Sequence, residues 1–337
     1  MSRRVTVLYN CDWDDQLCRD EGVDVSAVRA SALAVRDALR AAGYESELVG
    51  AEGPDIMDLL AAMRADPPDL VFNLCESLCE DVRNEVVAPA LLDMLRLRYT
   101  GAGPLALLSC LHKDRAKDVL AARGVPTPPH RVLARPADLD AFDLAFPVFV
   151  KLAHEDASIG IDETNVCRDA AALARRVAAL WDRYRQPVIA EAYIDGREVN
   201  ATVLGSGDGA RVLPLHEIDF GQMPPGRPHI VTYAAKWDET HVDYMGTKPV
   251  PMTGVAPELA RAIEATALAA YRALDLRDYG RVDMRVDAAG RPWVIDVNPN
   301  CDISPDAGYA RAARAAGMDY PQLVDAICRA AWSRYDR

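Results

Sequence analysis

The stretch YGRVDMRVDAAGRPWVIDVNPN, residues 279–300, decides how this chain is read. Two apolar runs flank Asp287-Ala-Ala-Gly290, a tight-turn composition, so the segment predicts two antiparallel strands. Each run carries acids where a buried strand should be apolar. Asp296 sits among Trp293, Val294, Ile295 and Val297, and a buried charge without a partner costs several kcal/mol, roughly. Side chains two apart on a strand share a face, so Asp296 and Asn298 point one way, as do Arg281 and Asp283. If the hairpin pairs in register, Asp283, Asp296 and Asn298 gather three oxygen ligands. That set suits magnesium, which keeps open positions for substrate phosphates. Arg281 beside them is placed to hold a phosphoryl group.

Outward from this hairpin, the first hundred residues alternate strand and helix. RRVTVLYN, YESELVG and DLVFNL read as strands, the last without alternation and so buried on both faces. SAVRASALAVRDALRAAG, with Ser26 as its cap, and PDIMDLLAAMRA read as helices. The alternation implies a parallel sheet with right-handed crossovers over residues 1–105. YTGAGP, residues 99–104, marks a boundary, and HKDRAKDVLAARG is a helix beyond it. The pattern then turns α+β: FPVFVKLA, ETNVCR, PVIAEAYI, EVNATVLG and RVLPLHEID are strand candidates. DAAALARRVAALWDRY and PELARAIEATALAAYRAL are helices. Residues 217–256 are rich in Gly, Pro and Asp and predict an irregular, mobile loop.

Bulk properties exclude several classes. A net charge of -13 argues against a nucleic-acid partner, which needs basic patches. The sequence has no apolar run long enough for a membrane helix and no secretory signal, which predicts a cytoplasmic protein. The eight cysteines are scattered without a second Cys/His pair at zinc spacing and read as reduced core thiols.

Two further clusters carry chemistry. In FPVFVKLAHEDASIGI, Lys151 closes a strand and a polar loop reaches Ser158, where backbone N–H groups can wrap phosphates. In PVIAEAYIDGREVN, Glu191 closes one strand and Glu198 opens the next, a hinge able to bond an adenine edge and a ribose. Neither the Walker phosphate-loop pattern nor the dinucleotide glycine fingerprint is present.

Taken in order, Lys151, Glu191, Glu198, Arg281-x-Asp283 and Asp296-x-Asn298 resemble the ATP-grasp superfamily, and within it the D-alanine–D-alanine ligase-like branch. The resemblance spans nearly the whole chain. It implies an ATP-grasp fold, α/β and α+β: a Rossmann-like domain (1–105), then two α+β subdomains (106–186 and 187–337) clasping ATP. It also implies roles. Lys113 and Lys151 contact ATP phosphates; Glu191, Ala192, Tyr193 and Ile194 form the adenine hinge, with Ile295 nearby; Glu198 holds the ribose. Ser158 lies in the phosphate-covering loop, Lys236 reaches the nucleotide from the mobile loop, and Arg281 steadies the transferred phosphoryl group. Asp283, Asp296 and Asn298 hold two magnesium ions, with manganese as a substitute; the family usually has glutamate at the place of Asp296.

The substrate positions depart from that branch. Asn10-Cys-Asp-Trp-Asp-Asp stands where a Ser-x-Glu-Arg segment is expected, and Asn73-Leu-Cys-Glu-Ser where His-Gly is expected. Cys301-Asp302 replaces Pro-Gly. Asp12, Asp14, Asp15, Glu76, Asp302 and Ser304 are the substrate candidates. The expectation is an ATP-dependent carboxylate–amine ligase acting through an acyl phosphate on non-standard amino-acid, peptide or metabolite substrates, as a homodimer. The other readings are a D-alanine–D-alanine ligase proper, an ATP-grasp small-molecule kinase, and a nucleotide binder without turnover.

Overall fold

Alternation in the first hundred residues builds a parallel sheet in the computed structural model, which describes residues 2–11, 25–155 and 158–336. Strands β1 (Arg4–Asn10), β2 (Glu45–Ala51) and β3 (Leu70–Asn73) pair in the order β2-β1-β3. All four residues of β3 are buried, as its unbroken apolar run requires. Helix α1 (Val25–Ala41) crosses from β1 to β2, and α2 (Ile56–Ala65) from β2 to β3. Helix α1 already includes Val25, so Ser26 lies inside it and is not its cap. Helix α3 (Val87–Leu95) then leads to α4 (Pro104–Leu111) and α5 (Lys113–Ala122), which a single residue, His112, separates.

A four-stranded antiparallel sheet follows, in the order β4-β7-β5-β6. Its strands are β4 (His130–Leu133), β5 (Val148–Leu152), β6 (Val166–Cys167) and β7 (Val188–Ala192), and α6 (Ala170–Tyr184) packs on it. Asp169 caps α6 by accepting from the Ala172 N–H at 2.7 Å, and Leu173, Val177 and Leu180 form its buried stripe.

The third sheet runs β11-β10-β8-β12-β13, with β9 beside β8. It holds β8 (Arg197–Leu204), β9 (Arg211–Val212), β10 (His216–Asp219), β11 (Lys248–Pro251), β12 (Tyr279–Val286) and β13 (Pro292–Asn298). The strand expected over RVLPLHEID is broken in two, because Pro214 has no N–H for the ladder. The stretch 217–256 is more regular than its composition predicts: it contains α7 (Tyr233–Trp237) and α8 (Val242–Gly246). Five-residue helices show too little periodicity to be read from sequence. Helix α9 (Pro257–Ala273) packs on β8 and β13.

The last helices, α10 (Gly308–Ala315) and α11 (Tyr320–Tyr335), return to the start of the chain. Val324, Ile327, Ala331 and Trp332 share one core with Val5, Val7, Val35, Leu39 and Phe72. The Arg3 guanidinium lies 4.2 Å from the Trp332 ring centroid, and the Tyr44 hydroxyl donates to Asp325 at 2.5 Å. Among the described residues, no helix is long and apolar enough to cross a membrane.

Candidate active site

The hairpin pairs as its sequence demands: Arg281 faces Asn298 and Asp283 faces Asp296. The register then slips, and Met284 faces Val294, so Ile295 is the extra residue of a bulge. The bulge leaves the Ile295 carbonyl outside the ladder, where it accepts from Lys151 Nζ at 2.8 Å. Sequence alternation alone gave no sign of this slip, yet it joins the third sheet to the second across the cleft.

Asp283 is buried and fully engaged. Its Oδ1 accepts from Arg281 Nε at 2.8 Å and Asn200 Nδ2 at 2.7 Å. Its Oδ2 accepts from Arg281 Nη2 at 2.9 Å and Asn298 Nδ2 at 3.0 Å. Asp296 sits 4.0 Å from Lys113 Nζ. Burial works against its ionisation, but Lys113, Lys151, Arg281 and Lys236 outweigh that and hold the carboxyl below the usual range. The charge compensation that the apolar strand called for is thus present in the protein's own cations. The oxygens of Asp283, Asp296 and Asn298 form a hard donor set, the type magnesium takes.

These groups line a cavity of about 380 Å³, the size of a small-ligand site. Lys113, Lys151, Ser158, Glu191, Ala192, Tyr193, Ile194, Glu198, Lys236, Arg281, Asp283, Ile295, Asp296 and Asn298 all lie on its walls. The hinge from β7 to β8 turns at Asp195-Gly196. Gly196 has φ +146°, and a Cβ there would meet the Val286 carbonyl oxygen at 2.0 Å, so only glycine fits. Lys113 Nζ donates to the Glu155 carbonyl at 2.6 Å. Ser158 adopts a left-handed φ of 63°, and its carbonyl accepts from the Ile161 N–H, closing the loop after β5.

The segment carrying Lys236 closes over this loop. The Tyr233 N–H donates to the Ile161 carbonyl at 2.9 Å, and Arg227 reaches Glu163 at 3.1 Å. Buried Asp243 staples the segment internally, accepting from Arg227 and from the Thr232 hydroxyl at 2.8 Å. Lys236 lines the cavity and keeps exposed surface. Toward the cavity, burial and then Arg281 push its ammonium below the usual lysine range.

Two residues escaped the sequence reading. Lys117 lies one helical turn after Lys113, on the same face of α5. It pairs with Glu191 at 2.5 Å, and Lys151 pairs with the other Glu191 oxygen at 3.2 Å, all three side chains being at most 8% exposed. Arg285 continues the period-two face of Arg281 and Asp283. It pairs with Glu198 at 2.9 Å and donates to the Ile194 carbonyl at 3.0 Å. Burial raises the Glu198 carboxyl above its usual range against the pull of Arg285. Both arginine and lysine were legible as spacing, but spacing without a partner carries no role.

The substrate candidates lie elsewhere. Glu76, Asp302 and Ser304 line a second, open cleft of about 2320 Å³. The Glu76 N–H donates to Asn10 Oδ1 at 3.0 Å, Asp302 accepts from the Ser304 N–H at 2.8 Å, and both residues are exposed. Asp12, Asp14 and Asp15 fall outside the described residues.

With this geometry in hand, the likenesses to known proteins are specific. The family model for the D-ala D-ala ligase C-terminus matches residues 119–329. The chain is 32% identical over 305 residues to an uncharacterized protein, y4sG, of Sinorhizobium fredii, covering 88% of this chain and 86% of that one. It is 30% identical over 299 residues to a D-alanine--D-alanine ligase of Bordetella avium, covering 88% and 87%. The fold matches the crystal structure of the Bacillus anthracis D-alanine--D-alanine ligase complexed with ATP, with TM-score 0.73, 20% identity and coverage of 99% and 98%. It also matches the VanG D-Ala:D-Ser ligase of Enterococcus faecalis, with TM-score 0.72, 18% identity and coverage of 98% and 100%.

Proposed function

This chain belongs to the D-alanine–D-alanine ligase family, an ATP-dependent carbon–nitrogen ligase of ATP-grasp fold, and from that premise we propose that it joins a carboxylate other than D-alanine to an amine. The observation that carries the chemistry is the convergence of Lys113, Lys151, Lys236 and Arg281 on Asp283, Asp296 and Asn298 in one cavity. Four cations gathered in one cleft suit the charge of a triphosphate. In this reading Ala192 to Ile194 meet the adenine edge, Glu198 the ribose, and Lys113, Lys151 and Lys236 the phosphates. Ser158 covers the phosphates, and Glu191 serves as the anchor that orients Lys151.

The substrate carboxylate attacks the terminal phosphorus of ATP, and ADP leaves. The amine then attacks the acyl carbon, phosphate leaves, and the amine proton is lost to solvent or base. Arg281 steadies the phosphoryl group in flight. Asp283, Asp296 and Asn298 would hold magnesium, which neutralises charge on the phosphate oxygens when bound.

Asp302, exposed in the second cleft, supports a substrate that carries positive charge or amine groups, since like charges repel a simple carboxylate there. Of the arginines lining this cleft, Arg83 pairs with Asp81, Arg185 with Asp182, and Arg227 with Glu163 and Asp243. The names of the relatives favour D-alanine as the alternative. One assay separates the two: ADP release with D-alanine alone, compared with basic amino acids and short peptides, with product masses. Robust release with D-alanine and formation of its dipeptide would overturn the proposal.

A further inference from the structure

A second donor cluster lies at the start of α5, outside the set of residues assigned to the nucleotide. His112 is the lone link between α4 and α5, Asp114 is in the first turn of α5, and His154 follows β5. The Lys113 N–H donates to the Ala153 carbonyl at 3.0 Å, and this bond brings the helix start against the end of β5. The backbone of His154 is fixed too: its N–H donates to Gln186 Oε1 at 3.2 Å, and Gln186 Nε2 donates to Glu155 at 2.8 Å.

The side chains that result are unusually disposed for chance neighbours. The two imidazole rings meet edge to face with centroids 4.3 Å apart. One ligand atom from each of His112, Asp114 and His154 lies within 4.8 Å of the other two. Asp114 Oδ1 is buried and makes no hydrogen bond, while Oδ2 is 3.6 Å from Arg115 Nε. A buried carboxylate oxygen left unpaired is costly. Two imidazole nitrogens grouped with a carboxylate oxygen are the donor set of a borderline metal rather than of magnesium.

We propose that His112, Asp114 and His154 bind one Zn2+ or a similar borderline cation, separately from the magnesium site. Tetrahedral zinc holds neighbouring ligand atoms about 3.3 Å apart, so side-chain rotation of about 1 Å completes the site, with water in the remaining position. The ion would cross-link the residues on either side of Lys113 to the residue before Glu155. It would therefore clamp the phosphate-contacting helix start to the root of the loop that carries Ser158, a structural role and not a catalytic one.

The test uses untagged full-length protein, stripped with chelator and kept free of nucleotide, with magnesium in excess. Zn2+ is titrated calorimetrically, and Co2+ is followed by its visible absorption, which reports low coordination number and nitrogen ligands. The expected result is one Zn2+ per chain, a cobalt spectrum with imidazole character and a raised thermal midpoint. Affinity should fall in Asp114→Asn and in His154→Ala, and in each by more than the roughly 10–100-fold that loss of an outer partner costs. Asp114→Asn is nearly isosteric and guards against loss of fold. No zinc above background, or zinc retained equally by both variants, would overturn the proposal.

Discussion

Changing Glu191 to Gln tests whether the two buried lysines of the site depend on one carboxylate. Lys117 and Lys151 contribute two positive charges at 2.5 and 3.2 Å from the two oxygens of Glu191, all nearly sealed from solvent. The amide keeps the shape and one acceptor but removes the charge, leaving two neighbouring buried ammonium groups. Removing one partner of a buried pair costs about 3–5 kcal/mol. At about 2–4 °C per kcal/mol for a large domain, the thermal midpoint should fall by roughly 6–20 °C. Lys117→Met leaves a neutral Lys151–Glu191 pair and should cost less than half as much. The pH dependence has a definite sign. Burial opposes ionisation of Glu191, but the lysines overcome it and lower its pKa below the ordinary 4.5. Its stabilisation is therefore full above that value and is lost as pH falls through the lower folded value. The gap between wild type and Glu191→Gln should close in acid. Calorimetric melts of the three proteins at neutral and acid pH make the measurement. Equal damage from the two substitutions, or a Glu191→Gln melt within about 2 °C of wild type, would refute the reasoning.

Three other outcomes follow from the geometry. Asp283→Ala and Asn298→Ala should each keep the fold by circular dichroism but lose most magnesium-dependent turnover; near-normal turnover at saturating ATP would remove them from the site. Asp243→Ala should free the segment from Phe220 to Thr240, raising its hydrogen exchange, and a non-hydrolysable ATP analogue should slow exchange there in wild type. Unchanged exchange in both comparisons would argue against a closing lid. Ending the chain before Gly308 should expose Val5, Val35 and Phe72, seen as dye binding and poor solubility, and a well-behaved truncated protein would contradict the shared core.

The hairpin was legible because its signal is local: two period-two runs, a tight turn and acids that an apolar strand cannot hold without company. The first sheet was legible for the same reason, through alternation of strand and helix. Other features depend on distant partners. Lys117 and Arg285 become meaningful only opposite Glu191 and Glu198, residues 74 and 87 positions away in the chain. The bulge at Ile295 is fixed by Lys151, which reaches across from another sheet. Strand β4 is four residues long after a proline-rich run, and α7 and α8 are single turns, so none carries a period to detect.

The return of α11 onto α1 and β3 sets an order of assembly. Translation delivers the first sheet well before Val324, Ile327 and Trp332, with which that sheet shares its core. Until α11 follows, the nascent chain carries an uncovered apolar face, the kind of surface that recruits chaperones or aggregates. The helix that completes this core is made long after the sheet it covers, so biogenesis of the first sheet rests on a distant stretch of the polypeptide.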